Sequence, residues 1–560
     1  MGNCRRVVVR ARIAVKSRIT EVDLDRETSQ NEKTAAWSRS SSVVIGLLFL
    51  VSLGGIGCSG LRPSAVPTIS DWKVAGQGLS DTRNQPAETI ITATNVNALK
   101  VKWTFTTAGD VSATPTISGN TVFASDWAGN LFAIRKDTGQ ELWRHRISDY
   151  DGMKGSMSRV SALVVDGAVI IGDNVINQAV QHGGATIIAV DRSSGASKWA
   201  TQVDDHPAAI ITGSPTAFQK VIYVGIASNE ETLAETPGYH CCTFRGSVVA
   251  LDAETGRILW KTYTVPNNQG ASNGFSGAAV WQPAALDSAR RALYIGTGNN
   301  YTVPAEVEAC ESQAFLVQGL RSCTPLNDYV DSVMALDLMT GKVKWTRKMN
   351  SYDTWTLACL TPMTGVKCPS PTGPDYDFTG SGPNLLGNMV GFAQKSGVYW
   401  AFDPDNGNIL WSTTVGPGSE LGGILWGTAS DGERIYIPVA NQRKNSYTLA
   451  PDGPTITWGS WAALDVKTGN ILWQTADPTP GATDMGAASV ANGVVFAGSM
   501  SGMMYALDTH TGRVLWKFAS GGSVLDGPAI VNGVVYWGSG YSRLGTGNNK
   551  IYAFDLAATK

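Results

Sequence analysis

At 560 residues the chain has the length of three or four domains of about 150 residues each. With 43% hydrophobic and 16% charged residues it is globular rather than disordered, and a net charge of −2 leaves no basic footprint for nucleic acid. Its 62 Gly and 18 Trp beside only 24 Pro exclude collagen-like and Pro-rich classes and point to tight turns next to aromatic anchors, as in a repeated all-β array.

The first 42 residues are polar, with Arg5, Arg6, Arg10, Arg12 and Lys16 near the start. The apolar run VVIGLLFLV at 43–51 follows, then SLGGIGCSG. About 15 apolar residues suit the core of an export signal better than a membrane span, which needs about 20. Residues 1–58 therefore read as an export segment, either lipoprotein-type, with Cys58 lipidated, or a plain secretory signal, or an uncleaved anchor. Gly55 stands three before Cys58, where lipoprotein signals usually carry Leu. The expected compartment is the periplasm, with outer-membrane anchoring through lipid on Cys58. Residues 59–98 read as an N-terminal linker leading into the main body, and 99–560 as that body.

From residue 133 one motif returns along the chain. It reads AIRKDTGQELW at 133–143, AVDRSSGASKW at 189–199, ALDAETGRILW at 250–260 and ALDLMTGKVKW at 335–345. AFDPDNGNILW at 401–411, ALDVKTGNILW at 463–473 and ALDTHTGRVLW at 506–516 complete the series. Ala-x-Asp ends one strand, the Gly supplies a positive φ to the turn, and the next strand carries the Trp, which makes each copy a β-hairpin. The small Ala is expected to leave room for a Trp from a neighbouring unit. Upstream runs such as GVVFAGS at 493–499 add further short strands. Four strands per unit, repeated radially, make a propeller blade. The last copy, AFDL at 553–556, lacks its Trp strand, and LKVKWTF at 99–105 offers one with Trp103. The expected fold is one all-β, eight-bladed β-propeller with tryptophan-docking repeats, closed by an N-terminal strand.

Apart from Cys4 and Cys58 there are six cysteines, an even number that reads as disulfides in an exported chain. Nearest-neighbour pairing prefers Cys310–Cys323 and Cys359–Cys368 among 15 connectivities. The adjacent Cys241 and Cys242 read as a vicinal disulfide or as two buried thiols. No C-x-x-C-H haem attachment motif occurs in the sequence.

The A-x-D-x-x-T-G-x-x-x-W repeat is similar to that of the eight-bladed quinoprotein alcohol dehydrogenases, which use pyrroloquinoline quinone and usually Ca²⁺. The opening segment 71–105 resembles theirs as well. YHCCTFRGSVVALD at 239–252, YIGTGNNY at 294–301 and CPSPTGPDYDF at 368–378 look like the polyvinyl alcohol branch. The resemblance implies a site residue by residue. Thr212 in ITGSPT and Ala227, Ser228 and Asn229 in YVGIASNEE would line the quinone, and Glu230 would bind Ca²⁺. Trp281 would stack on the flat cofactor, and Asn299 in GTGN would be the amide ligand of Ca²⁺. Asp377 in DYDFTG falls on the catalytic aspartate and third Ca²⁺ ligand, with Asp375 as its neighbouring candidate. Lys395 in QKSG falls on the basic residue beside the reactive carbonyl, and Arg159 and Asn441 on cofactor contacts. Cys241 and Cys242 would help to fix the ring.

These residue types suit the chemistry. Ca²⁺ takes oxygen ligands, and a carboxylate can accept an alcohol proton. The implied activity is oxidation of secondary, and in this branch polymeric, alcohols, with electrons leaving to a separate cytochrome c. Three departures stand out. A family glutamate falls on Ser112, a family tryptophan on Met485, and the cysteine pair sits in the third blade rather than between the first two. A second class stays open: a non-catalytic propeller lipoprotein that binds proteins in outer-membrane assembly. That class explains the export signal but not the loop carboxylates and amides.

Overall fold

The computed structural model describes residues 71–556, apart from 176, 178–181, 315–322, 350–351, 361–367, 370–374 and 379–380. The export segment and Cys58 lie outside the described residues. Eight antiparallel four-stranded units follow one another along the chain. Blade 1 is Thr116–Ser118, Thr121–Ser125, Asn130–Arg135 and Glu141–Arg146. Blade 8 is Ala529–Val531, Val534–Ser539 and Lys550–Leu556, completed by Leu99–Thr106 from the other end of the chain, with Trp103 opposite Ala553. The expected closure is thus realised. It makes the ring one cooperative body, because the outer edge of the last blade is paired rather than open.

The repeat explains itself locally. In blade 3, Asp252 Oδ1 accepts the N–H groups of Glu254 and Thr255 and the Thr255 hydroxyl, and Gly256 follows at φ +72°. The same carboxylate-capped turn recurs at Asp337, Asp465 and Asp508. The short polar side chain satisfies turn donors that would otherwise face solvent.

The docking partner of each Trp differs from the sequence expectation. The motif Ala lies opposite the Trp of its own hairpin, as Ala250 does opposite Trp260. The neighbouring blade's Trp rests on the turn glycine instead: Trp103 on Gly139, Trp199 on Gly256 and Trp473 on Gly512. Each indole N–H then donates to the carbonyl one residue past the motif Asp position. Trp199 donates to Ala253 at 3.2 Å, Trp345 to Pro404 at 2.9 Å and Trp473 to Thr509 at 3.0 Å. At the seam no motif turn exists, and Trp516 donates to Leu99 at 3.1 Å.

The described part of the lead-in, residues 71–98, packs into the ring rather than standing apart. It exchanges main-chain hydrogen bonds with the innermost strands of six blades, through Ile117, Val164, Leu286, Leu385, Ser430 and Val490. Gln85 Nε2 adds Ile530 of a seventh at 3.0 Å. Arg83 is buried here and donates to the carbonyls of Ala488, Ala75 and Gly527 and to Thr114 Oγ1. Disulfides join Cys310–Cys323 and Cys359–Cys368, the pairings preferred from spacing, and Cys241–Cys242 is the vicinal disulfide of the two open alternatives. No helix among the described residues is long and apolar enough to cross a membrane.

Candidate active site

Loops from blades 2 to 6 and 8 enclose a cavity of about 450 Å³, a volume ordinary for a bound cofactor. Its wall includes Arg159, Thr212, Ala227, Ser228, Asn229, Trp281, Asn299, Asp377 and Lys395. Nine of the residues singled out from sequence, spread over more than 230 positions, therefore meet in one space. Strand ends bring them there. Ala227 and Ser228 close the strand Val221–Ser228, and Asn299 and Lys395 each follow an inner strand, Ala292–Gly296 and Met389–Ala393.

Charge concentrates at one end of the cavity. Lys395 Nζ lies 2.7 Å from Asp375 Oδ2 and 2.7 Å from Asp377 Oδ2. Asp377 Oδ1 accepts the Asn299 N–H at 2.7 Å. The Asn299 side-chain amide donates to the carbonyls of Asn300 and Trp355, so the atom it can offer a ligand is Oδ1. Lys395 also stands 5.7 Å from the centroid of the Trp281 ring. Burial pushes the Asp375 carboxyl well above its ordinary value, and the charge of Asp377 pushes it further. Burial alone would lower Lys395, but Asp375, Asp377 and Glu231 together hold its ammonium above the usual range. Lys395 thus faces three carboxylates.

Glu231 is the acid that sequence reading passed over. It lines the cavity, and burial pushes its carboxyl up to about 7 against the pull of Lys395. Glu230 points elsewhere. Its Oε1 accepts Tyr239 Oη and the Thr243 N–H, and its Oε2 accepts the Phe244 N–H, so it pins the loop carrying the cysteine pair. The reason is local. Glu230–Leu233 is one helical turn, and neighbouring residues on such a turn face about 100° apart, so only one of the two glutamates can enter the cavity.

Two further expectations differ. Asn441 is buried but does not line the cavity; its amide donates to Asn445 O and Trp458 O and shapes its own loop. Cys242 is buried in apolar packing. Cys241 lines a neighbouring cavity of about 350 Å³ that shares Tyr301 with the main one.

Trp281 and Trp426 meet edge to face at 5.0 Å and form one wall of the cavity. Behind them lies a space of about 70 Å³ bounded by Arg83 of the lead-in. Arg159 stacks 4.7 Å over Trp426. Met485 belongs to the buried apolar cluster against which both indoles pack, and Ser112 Oγ accepts the indole N–H of Trp127 at 2.8 Å. Trp355, Trp426, Tyr541 and Arg543 were not singled out from sequence. A usable signal existed for two of them, since Trp355 and Trp426 fall outside the docking motif.

Residues 72–362 match the family model described as "Glucose/ethanol/alcohol dehydrogenase, beta-propeller domain". Residues 459–559 match that of "Outer membrane protein assembly factor BamB". A polyvinylalcohol dehydrogenase of Pseudomonas sp. is 32% identical over 531 residues, 89% of this chain and 77% of its own length. A second, from Sphingopyxis sp. strain 113P3, is 33% identical over 483 residues, 80% of this chain and 69% of its own. The crystal structure of quinohemoprotein alcohol dehydrogenase from Comamonas testosteroni superposes with a TM-score of 0.65 at 19% identity, covering 88% of this chain and 81% of that one. A family match over half the chain and two relatives above 30% identity lead to one assignment: the chain belongs to the pyrroloquinoline quinone-dependent alcohol dehydrogenases.

Proposed function

We propose that this protein is an exported, periplasmic dehydrogenase of secondary alcohols, polymeric ones such as polyvinyl alcohol among them, that passes electrons to a separate cytochrome c. The observation that carries the reading is Lys395 clamped between Asp375 and Asp377 beside the face of Trp281. The cavity suits a flat, anionic quinone together with a cation. Asn229 Nδ2, Asp375 Oδ1 and Trp426 Nε1 in its wall are buried with no hydrogen-bond partner, which a polar ligand would supply. Arg159, Lys395 and Arg543 supply positive charge for carboxylates of the cofactor. Glu231, Asn299 Oδ1 and Asp377 supply the hard oxygen donors that Ca²⁺ requires.

A bound quinone would supply the hydride acceptor, and a cation held by Glu231, Asn299 and Asp377 would supply Lewis acidity. The chain's own residues do the rest. Trp281 offers a flat wall for stacking. Asp377 is held at Oδ1 by the Asn299 N–H and at Oδ2 by Lys395, so its carboxylate is oriented to accept the hydroxyl proton of the substrate. Lys395 keeps positive charge where negative charge develops. Leu357, Leu360, Leu421 and Leu544 give the cavity an apolar lining suited to a hydrocarbon skeleton.

Reconstitution with pyrroloquinoline quinone and Ca²⁺, followed by dye reduction with a short secondary alcohol and with polyvinyl alcohol, tests the reading. Turnover with both supports it. Failure to bind the quinone at micromolar concentration sinks it. Asp377→Asn is expected to retain the quinone and lose turnover; retained turnover removes Asp377 as the base.

A further inference from the structure

A second cluster of ligand-type side chains lies away from the cavity, where blade 1 passes into blade 2. Asp151 ends the helical turn Ser148–Asp151 after the outer strand of blade 1. Asp173 follows the blade 2 strand Ala168–Gly172, and His182 precedes the strand Ala185–Asp191. One ligand atom from each lies within 4.8 Å of the other two.

One oxygen of each carboxylate is committed to the main chain. Asp173 Oδ1 accepts the Thr186 N–H at 2.7 Å, and Asp151 Oδ1 accepts the Met153 N–H at 2.8 Å. Asp173 Oδ2 and Asp151 Oδ2 are buried without a well-formed hydrogen bond among the described residues. Asp173 is fully buried, and the His182 side chain is 1% exposed. His182 Nε2 stands 3.4 Å from Asp173 Oδ2, a contact without hydrogen-bond geometry, and 3.3 Å from Ser156 Oγ. These two spacings from His182 are close to the edge of a tetrahedron around a Zn²⁺ with bonds of about 2.1 Å, which is about 3.4 Å, and Asp151 offers an oxygen within 4.8 Å of the other two ligands. An imidazole nitrogen with two carboxylates selects a borderline divalent ion such as Zn²⁺ over Ca²⁺ or Mg²⁺.

We propose that Asp151, Asp173 and His182, with Ser156 or a water as fourth ligand, form a structural site for Zn²⁺ or a similar ion that ties the end of blade 1 to blade 2. The role is structural because the three ligands come from three successive chain segments and none of them lines the candidate active-site cavity.

The chain, stripped with chelator and then saturated with quinone and Ca²⁺, is equilibrated with Zn²⁺, and bound metal is counted by elemental analysis. One tight equivalent and a raised melting temperature are expected. Asp173→Asn and His182→Gln are expected to lose that equivalent while keeping quinone binding. No Zn²⁺ bound, or an unchanged equivalent in both variants, overturns the site and leaves a plain buried Asp–His pair. Where a variant does not fold, anomalous scattering from Zn²⁺-soaked crystals of the unaltered chain decides. A peak between the three side chains supports the proposal, and its absence there refutes it.

Discussion

The docking of each tryptophan on the next blade's glycine predicts a measurable asymmetry between two glycines of equal backbone conformation. Gly512 has φ +68°, and a Cβ there would lie 2.5 Å from Trp473 Cε3 and 2.5 Å from Thr475 Oγ1. Gly387, in the first hairpin turn of blade 5, has φ +64° and nothing within 4 Å. Alanine at either position meets the left-handed backbone penalty of about 1–2 kcal/mol. Only Gly512→Ala also forces the buried Trp473 off its seat, overpacking that costs about 1–3 kcal/mol and strains its bond to Thr509. Roughly 490 folded residues at about 2.1 cal/mol/K each give an unfolding entropy of about 1 kcal/mol/K. Gly512→Ala is therefore expected to melt about 2–5 °C below the parent and Gly387→Ala about 1–2 °C below it. Differential scanning calorimetry at matched scan rate reads the difference. Equal shifts in the two variants would refute the docking argument, because the backbone term alone would then account for both.

The two adjacent glutamates should separate. Glu231→Gln is expected to weaken Ca²⁺ affinity at least tenfold with little loss of stability, measured by calorimetric titration. Glu230→Gln sets an amide donor against the donors Thr243 N–H and Phe244 N–H and should cost about 1–3 kcal/mol of stability with Ca²⁺ affinity kept; the reverse pattern would reinstate Glu230 as ligand. Trp281→Ala is expected to loosen quinone binding about tenfold, about 1.4 kcal/mol, with Trp281→Phe between it and the parent, read by quenching of tryptophan fluorescence. Burial pushes the Asp81 carboxyl from an ordinary 3.8 up to about 8. The folded state thus keeps a proton that the unfolded chain releases, so this stabilisation is full below about pH 4 and is lost as pH rises towards 8. Asp81→Asn should lose less melting temperature between pH 5 and pH 8 than the parent, and an equal loss in both would contradict the assignment.

The sequence itself determined the ring. Seven copies of a turn with Gly and Trp at fixed offsets, six of them with Asp before the turn, dictate hairpins by local physics, since the Gly needs a positive φ and the Asp caps the turn beside it. A final copy lacking its last strand, with a spare Trp strand at residues 99–105, dictates closure. The high glycine and tryptophan counts follow from this, and length measures one ring rather than several domains. Which loops meet was legible only through likeness to a family, and there the sequence named Trp281, Asn299, Asp377 and Lys395, all of which line one cavity. Side-chain direction was not legible. Glu230 and Glu231 are adjacent and chemically alike, and one helical turn settles which of them faces the cavity. Asn441 carries the right amide at a loop tip, but the loop's own carbonyls claim it. Trp426, Arg543 and the cluster of Asp151, Asp173 and His182 join segments far apart or on separate loops, with no spacing rule to announce them. Local rules act over a few residues and fix turns and strands. Contacts across the ring depend on how eight blades close around an axis, and only the tertiary structure decides them.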